Sequence, residues 1–459
     1  MLTRTSLNPK TLDDWLTLLE RRHPRAIDLG LERVAKVAAQ LGVAETQARV
    51  VTVAGTNGKG SCIAIMEALL AADGIRVGTF TSPHVLVYNE RIRINAENAS
   101  DADICHAFEV IERLRDNISL TYFEFSALAA LWLFAKHELD VVLLEVGLGG
   151  RLDAVNIIDP DVAVITSIEL DHQEWLGTSR SAIALEKCGI ARTGLPLVCA
   201  EQNPPQDLLD YINRLGAHLF LLGQDGFYCR ERLFESQSVD NSLEKKLTLT
   251  LECLDIDGEV QTFEGLPKPY LPLPSAVCAL QALILIGHEP AFELLARVFS
   301  EARLPGRFQQ FDYCGRRIIL DVAHNPAAAK ALAIRLDSLD SQRIHCIFGA
   351  LVNKDIVGMI EPVLSKISHW YLCGLPDSPF SASAEQMKEL VYNCVQACGD
   401  GVGHGLRKDL SDWSVQCYDS PREAFYSAFD VSDVDEIILV FGSFLTVAGA
   451  LEYCIESRA

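Results

Sequence analysis

The segment GTNGKGS, Gly55 to Ser61, ends a Val-rich run, RVVTVAG (49–55), and opens a helical pattern, SCIAIMEALLAAD (61–73). Small residues in such a turn let backbone N–H groups converge on phosphate oxygens. The helix N-terminus adds partial positive charge and Lys59 a full one. Gly58, Lys59, Gly60 and Ser61 are therefore candidate phosphate-binding residues, with the Ser61 hydroxyl at the start of the helix. The match to the general P-loop is incomplete, because GxxxxGK[ST] would need Gly at Val53 and Ser or Thr at Gly60. The plain alternative is a glycine-rich turn carrying a surface lysine.

In an open parallel sheet, ligands bind beyond the carboxyl ends of the strands. Three further apolar runs deliver polar residues there. VVLLEVGLGG sets Glu145 behind four apolar residues, where an unpaired carboxylate is costly. VAVITSIELDH ends in Asp171 and His172, and RRIILDVAHNP ends in Asp321, His324 and Asn325. Each has an ordinary reading: a buried salt bridge for Glu145, a structural histidine for His172, a helix N-cap for Asp321. Taken together, Glu145, His172 and a hydroxyl make a hard set suited to Mg2+, which keeps waters and bridges nucleotide phosphates. Lys187, in ALEKCGIAR, reads by itself as a solvated lysine beside Glu186, and TYFEF (121–125) as the aromatic start of a core helix.

The elements that must hold these residues are short Val/Ile-rich runs at 49–55, 141–147, 162–168, 195–200, 316–321, 343–349 and 436–442. Helical patterns lie between them, at 61–73, 101–116 and 205–217 among others. Strands apolar on both faces and alternating with helices predict parallel sheets covered on both sides. The middle differs: LTLTLECLDIDGEVQTFEG (247–265) alternates like an antiparallel pair with a turn at Asp257-Gly258. KPYLPLP (268–274) reads as an extended lead into a helix from about Ser275. The expected fold class is α/β, a P-loop-containing parallel-sheet domain over residues 1–300 followed by a smaller α/β domain over 301–459.

Composition narrows the class. The 459 residues carry 40 Lys plus Arg against 62 Asp plus Glu, a net charge of −22, with 49% hydrophobic residues. That is a globular composition whose field repels polyanions, which argues against a general nucleic-acid or anionic-membrane binder but not against a local phosphate site. The acidity is uneven: four arginines face only Asp312 between residues 303 and 317, whereas 409–436 holds eight acids and one arginine. The 14 cysteines show no zinc spacing and no disulfide framework. Asp13 and Asp14 interrupt any leader-like apolar stretch, and no run approaches the roughly 18 residues of a membrane span. A soluble cytoplasmic protein is expected.

GTNGKGS, TSPH (81–84), ERIRI (90–94), EVGLGGRLDAVN (145–156), DHQEWLG (171–177), EKCGIAR (186–192), LPGRF (304–308) and DVAHNP (321–326) follow in one order. This series resembles the folylpolyglutamate synthase family, a branch of the Mur-ligase-like ATP-dependent amide ligases. DLGLERV (28–34) and TYFE (121–124) look like its bacterial bifunctional dihydrofolate synthase branch. The resemblance implies that ATP phosphorylates a substrate carboxylate and that the amine of L-glutamate attacks the acyl phosphate. The acceptor would be 7,8-dihydropteroate and then reduced folates. It implies no nucleic-acid or membrane partner and a monomer, and leaves a monovalent-ion requirement open. The nearest alternative is a monofunctional folylpolyglutamate synthase; more distant ones are a Mur-type peptidoglycan ligase and a silent nucleotide-binding regulator. The last would lack Lys59, Glu145 or His172, all of which are present.

By the same resemblance, Gly58, Lys59, Gly60, Ser61 and Ser275 hold ATP, with Arg307, Asp321 and His324 on its phosphate and ribose or adenine side. Ser82, Glu145 and His172 ligate Mg2+. Lys187 matches a lysine that is N-carbamylated, and Lys59, Lys187, His172 and Asp153 form the catalytic set. The pterin site draws on Asp28, Leu29, Gly30, Leu31, Thr121, Tyr122, Phe123, Glu124, Leu152, Asp153 and Ala154. Residues 1–300 would form the ATPase domain with the pterin site, and 301–459 the glutamate and nucleotide side. Two positions depart from the family pattern: Ser275 stands where many relatives have Asn, and Asn95 where a glycine is frequent.

Overall fold

The computed structural model describes residues 9–23, 27–224, 227–237, 243–339, 343–400 and 413–456. The chain divides into two compact units. One runs to Ala302 without Val85–Val87; the other joins Val85–Val87 to the chain from Arg303 onward.

The first unit begins with helices α1 (Leu12–Arg22) and α2 (Glu32–Leu41). Then come β1 (Arg49–Ala54), α3 (Lys59–Ala72), β2 (Val77–Phe80), β3 (Ile92–Ile94), β4 (Glu97–Asn98), α4 (Asp101–Leu114) and α5 (Tyr122–Phe134). They are followed by β5 (Val141–Glu145), β6 (Val162–Ile165), α6 (Gln173–Leu176), α7 (Arg180–Cys188), β7 (Pro196–Cys199) and β8 (His218–Leu221). The eight strands form one sheet in the order β4-β3-β2-β5-β1-β6-β7-β8. Six are parallel; β3 and β4 add an antiparallel edge, so the sheet is mixed rather than purely parallel. All five residues of β5 and the four of β6 are buried, the signature of a sheet covered on both faces.

Strand order places the ligand edge. β1 lies between β5 and β6, with β2 beyond β5, so the chain leaves β1 in one direction and later returns on its other side. Such a switch point opens a crevice at the carboxyl ends. The registers align those ends: Val53 lies opposite both Glu145 and Val164, and Phe80 opposite Leu144. The loops GTNGKGS, TSPH, EVGLGG and TSIELDH therefore leave the sheet side by side.

The β3–β4 turn explains Asn95. Asn95 and Ala96 adopt φ of 53° and 64°, the left-handed pair of a tight hairpin. Asn is the side chain that tolerates this best after glycine, and its Oδ1 accepts the Val77 N–H at 3.0 Å.

Beyond β8, β9 (Tyr228–Gln237), β10 (Leu243–Leu254) and β11 (Val260–Leu266) form an antiparallel sheet of three strands, one more than the sequence pattern indicates. The Asp257-Gly258 turn joins β10 to β11 as expected. The following helix, Leu273–Leu285, is buried from Ser275 onward and packs on α3.

The second unit holds β12 (Gln309–Tyr313), β13 (Arg316–Asp321), β14 (Ile344–Phe348), β15 (His369–Cys373), β16 (Ser414–Tyr418) and β17 (Ile437–Phe441), ordered β12-β13-β17-β14-β15-β16. Only β12 is antiparallel. Ile319, Phe348, Trp370 and Leu439 enter one core, and Ile318, Ile347, Tyr371 and Val440 the other, which also takes Val85. Among the described residues the cysteines are free thiols, and no helix is long and apolar enough to cross a membrane.

Candidate active site

The turn after β1 is shaped by two close approaches. A Cβ on Gly55 would fall onto Thr166 Oγ1. Gly58 sits at φ 87°, and a Cβ there would fall onto the hydroxyl of Ser275. Ser275, from the helix Leu273–Leu285, is thus seated directly against the phosphate loop. Thr166 Oγ1 donates to Asn57 O at 2.6 Å, and Asn57 N donates to Ser167 Oγ at 2.9 Å, so the residues after β6 brace the loop. Lys59 Nζ donates to Gly55 O at 3.1 Å. No side chain caps α3, and the fully buried Ser61 Oγ has no hydrogen-bond partner. A helix N-terminus without a side-chain cap, an orphaned hydroxyl and a lysine folded over the turn are what a phosphate chain requires.

On the neighbouring strand, Glu145 is buried, and its Oε2 accepts the Ser82 N–H at 3.1 Å. The structure thereby joins two of the three residues expected to hold metal. The third, His172, caps α6 in the left-handed conformation, φ 51°. Its N–H donates to Asp171 Oδ1 at 2.8 Å, and its ring stays partly exposed. Among the described residues no three His, Cys, Asp or Glu side chains close into a cage. The donors suit a hard cation that completes its shell with water and phosphate oxygen.

Lys187 is not the solvated lysine of its local sequence. It is 3% exposed, while Glu186 pairs instead with Arg151 at 2.8 Å. Burial, and then the Lys59 charge, push the Lys187 pKa down to about 7, against the pull of Asp171. Asp153 is also buried; it accepts from Leu148 N at 2.9 Å and Val155 N at 3.1 Å, bracing the loop after β5. Burial raises its pKa to about 7, opposed by those N–H groups and by Lys59. Lys59 therefore acts electrostatically on both Lys187 and Asp153, which brings three of the four expected catalytic residues within one field. Asp171 is the residue that the sequence reading passed over in favour of its neighbour His172.

The expected pterin segments meet around Arg33, which sequence reasoning did not single out. Its guanidinium reaches Asp28 at 2.7 Å and Glu124 at 3.0 Å. Glu124 and Thr121 form a capping box at the start of α5, so their side chains are already engaged. Phe123 packs at 5.7 Å from Phe80 and lies over Gly147. Tyr122 meets Tyr88 edge-on at 6.0 Å. Leu31 precedes α2. The turn Ala154–Ile157, entered from Leu152 through the capping residue Asp153, packs against α2 and α5. Leu29 and Gly30 lie half-buried on the loop before α2.

In the second unit, Asp321 Oδ2 accepts from Phe308 N at 2.9 Å and Oδ1 from Ala323 N at 2.9 Å. Burial raises its pKa, and Arg307 opposes the shift. Asp321 is not a helix N-cap; Asn325 fills that role for the helix Pro326–Leu336. Arg307 lies 5.1 Å from the ring of Phe444, and the His324 ring 6.0 Å from it. Phe444 is a member of the group that no local sequence signal marks.

Two units with these sheets, and a phosphate loop at the switch point of the first, define a Mur-type ligase. The Mur ligase middle domain model matches residues 53–204, and the Mur ligase glutamate ligase domain model matches 306–444. The dihydrofolate synthase/folylpolyglutamate synthase of Escherichia coli K12 is 39% identical over 459 residues, covering 100% of this chain and 99% of its own length. A solved structure of E. coli FolC in complex with DHPP and ADP matches with a TM-score of 0.85 at 38% identity, over 98% of this chain and 99% of that one. The Yersinia pestis bifunctional folylpolyglutamate synthase/dihydrofolate synthase complexed with AMPPNP and Mn ion matches with a TM-score of 0.81 at 39% identity, covering 97% and 98%. The chain belongs to the dihydrofolate synthase/folylpolyglutamate synthase family.

Proposed function

We propose that this chain is a bifunctional ATP-dependent ligase, joining L-glutamate to 7,8-dihydropteroate to give dihydrofolate, and then further glutamates to reduced folates. The observation that carries this reading is the alignment of three loops at neighbouring strand ends. They are the phosphate loop, the Ser82–Glu145 pair and the Asp153 loop, whose Gly147 lies under Phe123. Such an edge can hold a nucleoside triphosphate beside a ring-bearing carboxylic acid.

In the reaction a carboxylate oxygen of the acceptor attacks the γ-phosphorus of ATP, the bond to ADP breaks, and an acyl phosphate forms. The glutamate amine then attacks the acyl carbon, phosphate leaves, and the amine proton is lost. Gly58, Lys59, Gly60 and Ser61 cradle the phosphates, and Lys59 offsets charge on the transferring group. Mg2+, held by Ser82, Glu145 and His172, would supply further Lewis-acid stabilisation. Ser275 positions the loop. Asp28, Tyr122, Phe123 and the Leu152–Ala154 turn take the pterin. In the second unit we assign Arg307, Asp321 and His324 to the nucleotide, with the domain roles divided near residue 300.

Lys187 has a role of its own in this reading. A buried amine that is about half unprotonated near pH 7 can add to CO2, forming an N–C bond and releasing a proton. The product is a carbamate, which places a carboxylate-like anion beside Lys59.

The test is phosphate release by the purified protein with MgATP and L-glutamate, comparing 7,8-dihydropteroate with a reduced monoglutamyl folate. Turnover of both supports the reading. Turnover of folate alone reduces it to a monofunctional synthase, and turnover of neither ends it.

A further inference from the structure

Arg91 ends the short turn Tyr88–Arg91 and leads into β3. Its carbonyl accepts the Thr81 N–H at 2.9 Å, tying it to the loop that carries Ser82. The side chain is 9% exposed. Nε donates to His84 Nδ1 at 2.9 Å. The guanidinium carbon lies 5.5 Å from the ring centre of Tyr88 and 5.3 Å from that of Tyr122. Tyr88 is itself held by its hydroxyl, which donates to Ser126 Oγ at 2.7 Å.

Burying a full charge is costly unless a counter-charge or hydrogen bonds offset it. Two partly buried arginines nearby in the fold follow that rule. Arg93, two residues on, meets Glu67 at 2.9 Å, and Arg33 meets Asp28 and Glu124. Arg91 has no carboxylate partner among the described residues, and its two terminal nitrogens make no hydrogen bond there. Nε is anchored, two aromatic rings lie close to the guanidinium, and the terminal fork is left for an anion. That is the geometry for bidentate capture of a carboxylate.

The two acid substrates of the proposed function differ in one relevant respect. Dihydropteroate carries a single carboxylate, the one that is phosphorylated. The terminal glutamate of a folate carries a γ-carboxylate that reacts and an α-carboxylate that does not. The reacting group must reach the phosphate loop after β1. Arg91 stands at β3, with β2 and β5 between, about 14 Å away across three strand spacings. It lies instead against Tyr122, on the acceptor side.

We propose that Arg91 binds the unreacted α-carboxylate of a folate's terminal glutamate, and so serves chain extension rather than the first addition to dihydropteroate. The inference rests on the bifunctional reading above.

The experiment is steady-state kinetics of wild type and Arg91→Gln with MgATP, L-glutamate and three acceptors: dihydropteroate, monoglutamyl tetrahydrofolate and its α-carboxamide. Whatever uniform loss the variant suffers, the ratio of kcat/KM for tetrahydrofolate to that for dihydropteroate should fall about tenfold or more, as expected for a lost charge-assisted contact. The α-carboxamide should be a poor acceptor for wild type, and the variant should distinguish it much less from the parent folate. An unchanged ratio overturns the proposal. So does a raised KM for L-glutamate with both acceptors, which would give Arg91 to the incoming amino acid. If Arg91→Gln does not fold, Arg91→Lys takes its place, and wild-type indifference to the α-carboxamide is then sufficient to reject the role. A wild type unable to use dihydropteroate sinks the bifunctional reading itself, separately from Arg91.

Discussion

The Ser82 N–H donates to Glu145 Oε2 at 3.1 Å, linking the loop after β2 to the end of β5. The bond holds a buried carboxylate at the ligand edge with its orientation fixed from a neighbouring strand. Glu145→Gln keeps the shape and the hydrogen bond and removes only the charge. We expect kcat to fall by about 10²–10³, the scale of losing one charge-stabilising group. The thermal midpoint should stay within about 2 °C, since no packing is lost. Activity titrations against Mg2+ and a melting curve check both; wild-type turnover in this variant would remove Glu145 from the metal set.

Ser61 allows stability and function to be separated. Its buried hydroxyl has no partner, and burial of a polar group without compensation costs about 1–3 kcal/mol in proteins. Ser61→Ala should therefore leave the nucleotide-free protein as stable as wild type or more so, while KM for MgATP rises. A fall in stability would mean that the hydroxyl has a structural partner and is not kept for a ligand.

Lys187 makes a pH-dependent statement with a definite sign. Its pKa drops from 10.5 to about 7 on folding. Between those values the unfolded chain binds the additional proton, so wild-type stability from this group rises with pH across that window and is lowest below pH 7. Lys187→Met has no such group. In bicarbonate-free buffer its melting advantage over wild type should be largest below pH 7 and shrink toward pH 10. A gap that does not vary with pH would show that the ammonium is not desolvated. The carbamate has a separate check: Lys187→Ala should lose turnover and regain part of it with a short-chain carboxylate.

The strand–turn–helix around GTNGKGS was readable in the sequence because its ingredients are contiguous: a strand, a turn of small residues, a lysine and a helix start. Glu145 was readable for a similar reason, a carboxylate at the end of an apolar run, and the Asp257-Gly258 hairpin because turn chemistry is local. Tertiary contacts were not readable from local pattern. Lys187 looks solvated beside Glu186 until the pairing of Glu186 with Arg151 and the packing of α7 bury it. Arg33 gains its meaning from Glu124, 91 positions away. β2 is only four residues long and contains Gly78, too little alternation to register as a strand. Asp321 was open to an N-cap reading because Asn325, the residue that caps, stands only four positions on.

Gly58 and Ser275 give the last prediction, because two separable obstacles meet at one atom. At φ 87° a non-glycine residue pays a backbone cost, about 1–2 kcal/mol in the left-handed region. Its Cβ would also fall onto Ser275 Oγ. Gly58→Ala should raise KM for ATP about tenfold or more, by tilting the N–H groups of the loop away from the phosphates. Adding Ser275→Ala removes the overlapping hydroxyl but leaves the backbone torsion, so the double variant should recover only part of the loss. Full recovery would assign the whole effect to the side-chain clash and make the left-handed turn dispensable. No loss in Gly58→Ala would deny that this loop grips phosphate through its backbone. Measured side by side with Ser275→Ala alone, the three variants also test whether serine at 275 serves mainly as the small neighbour that lets the turn close.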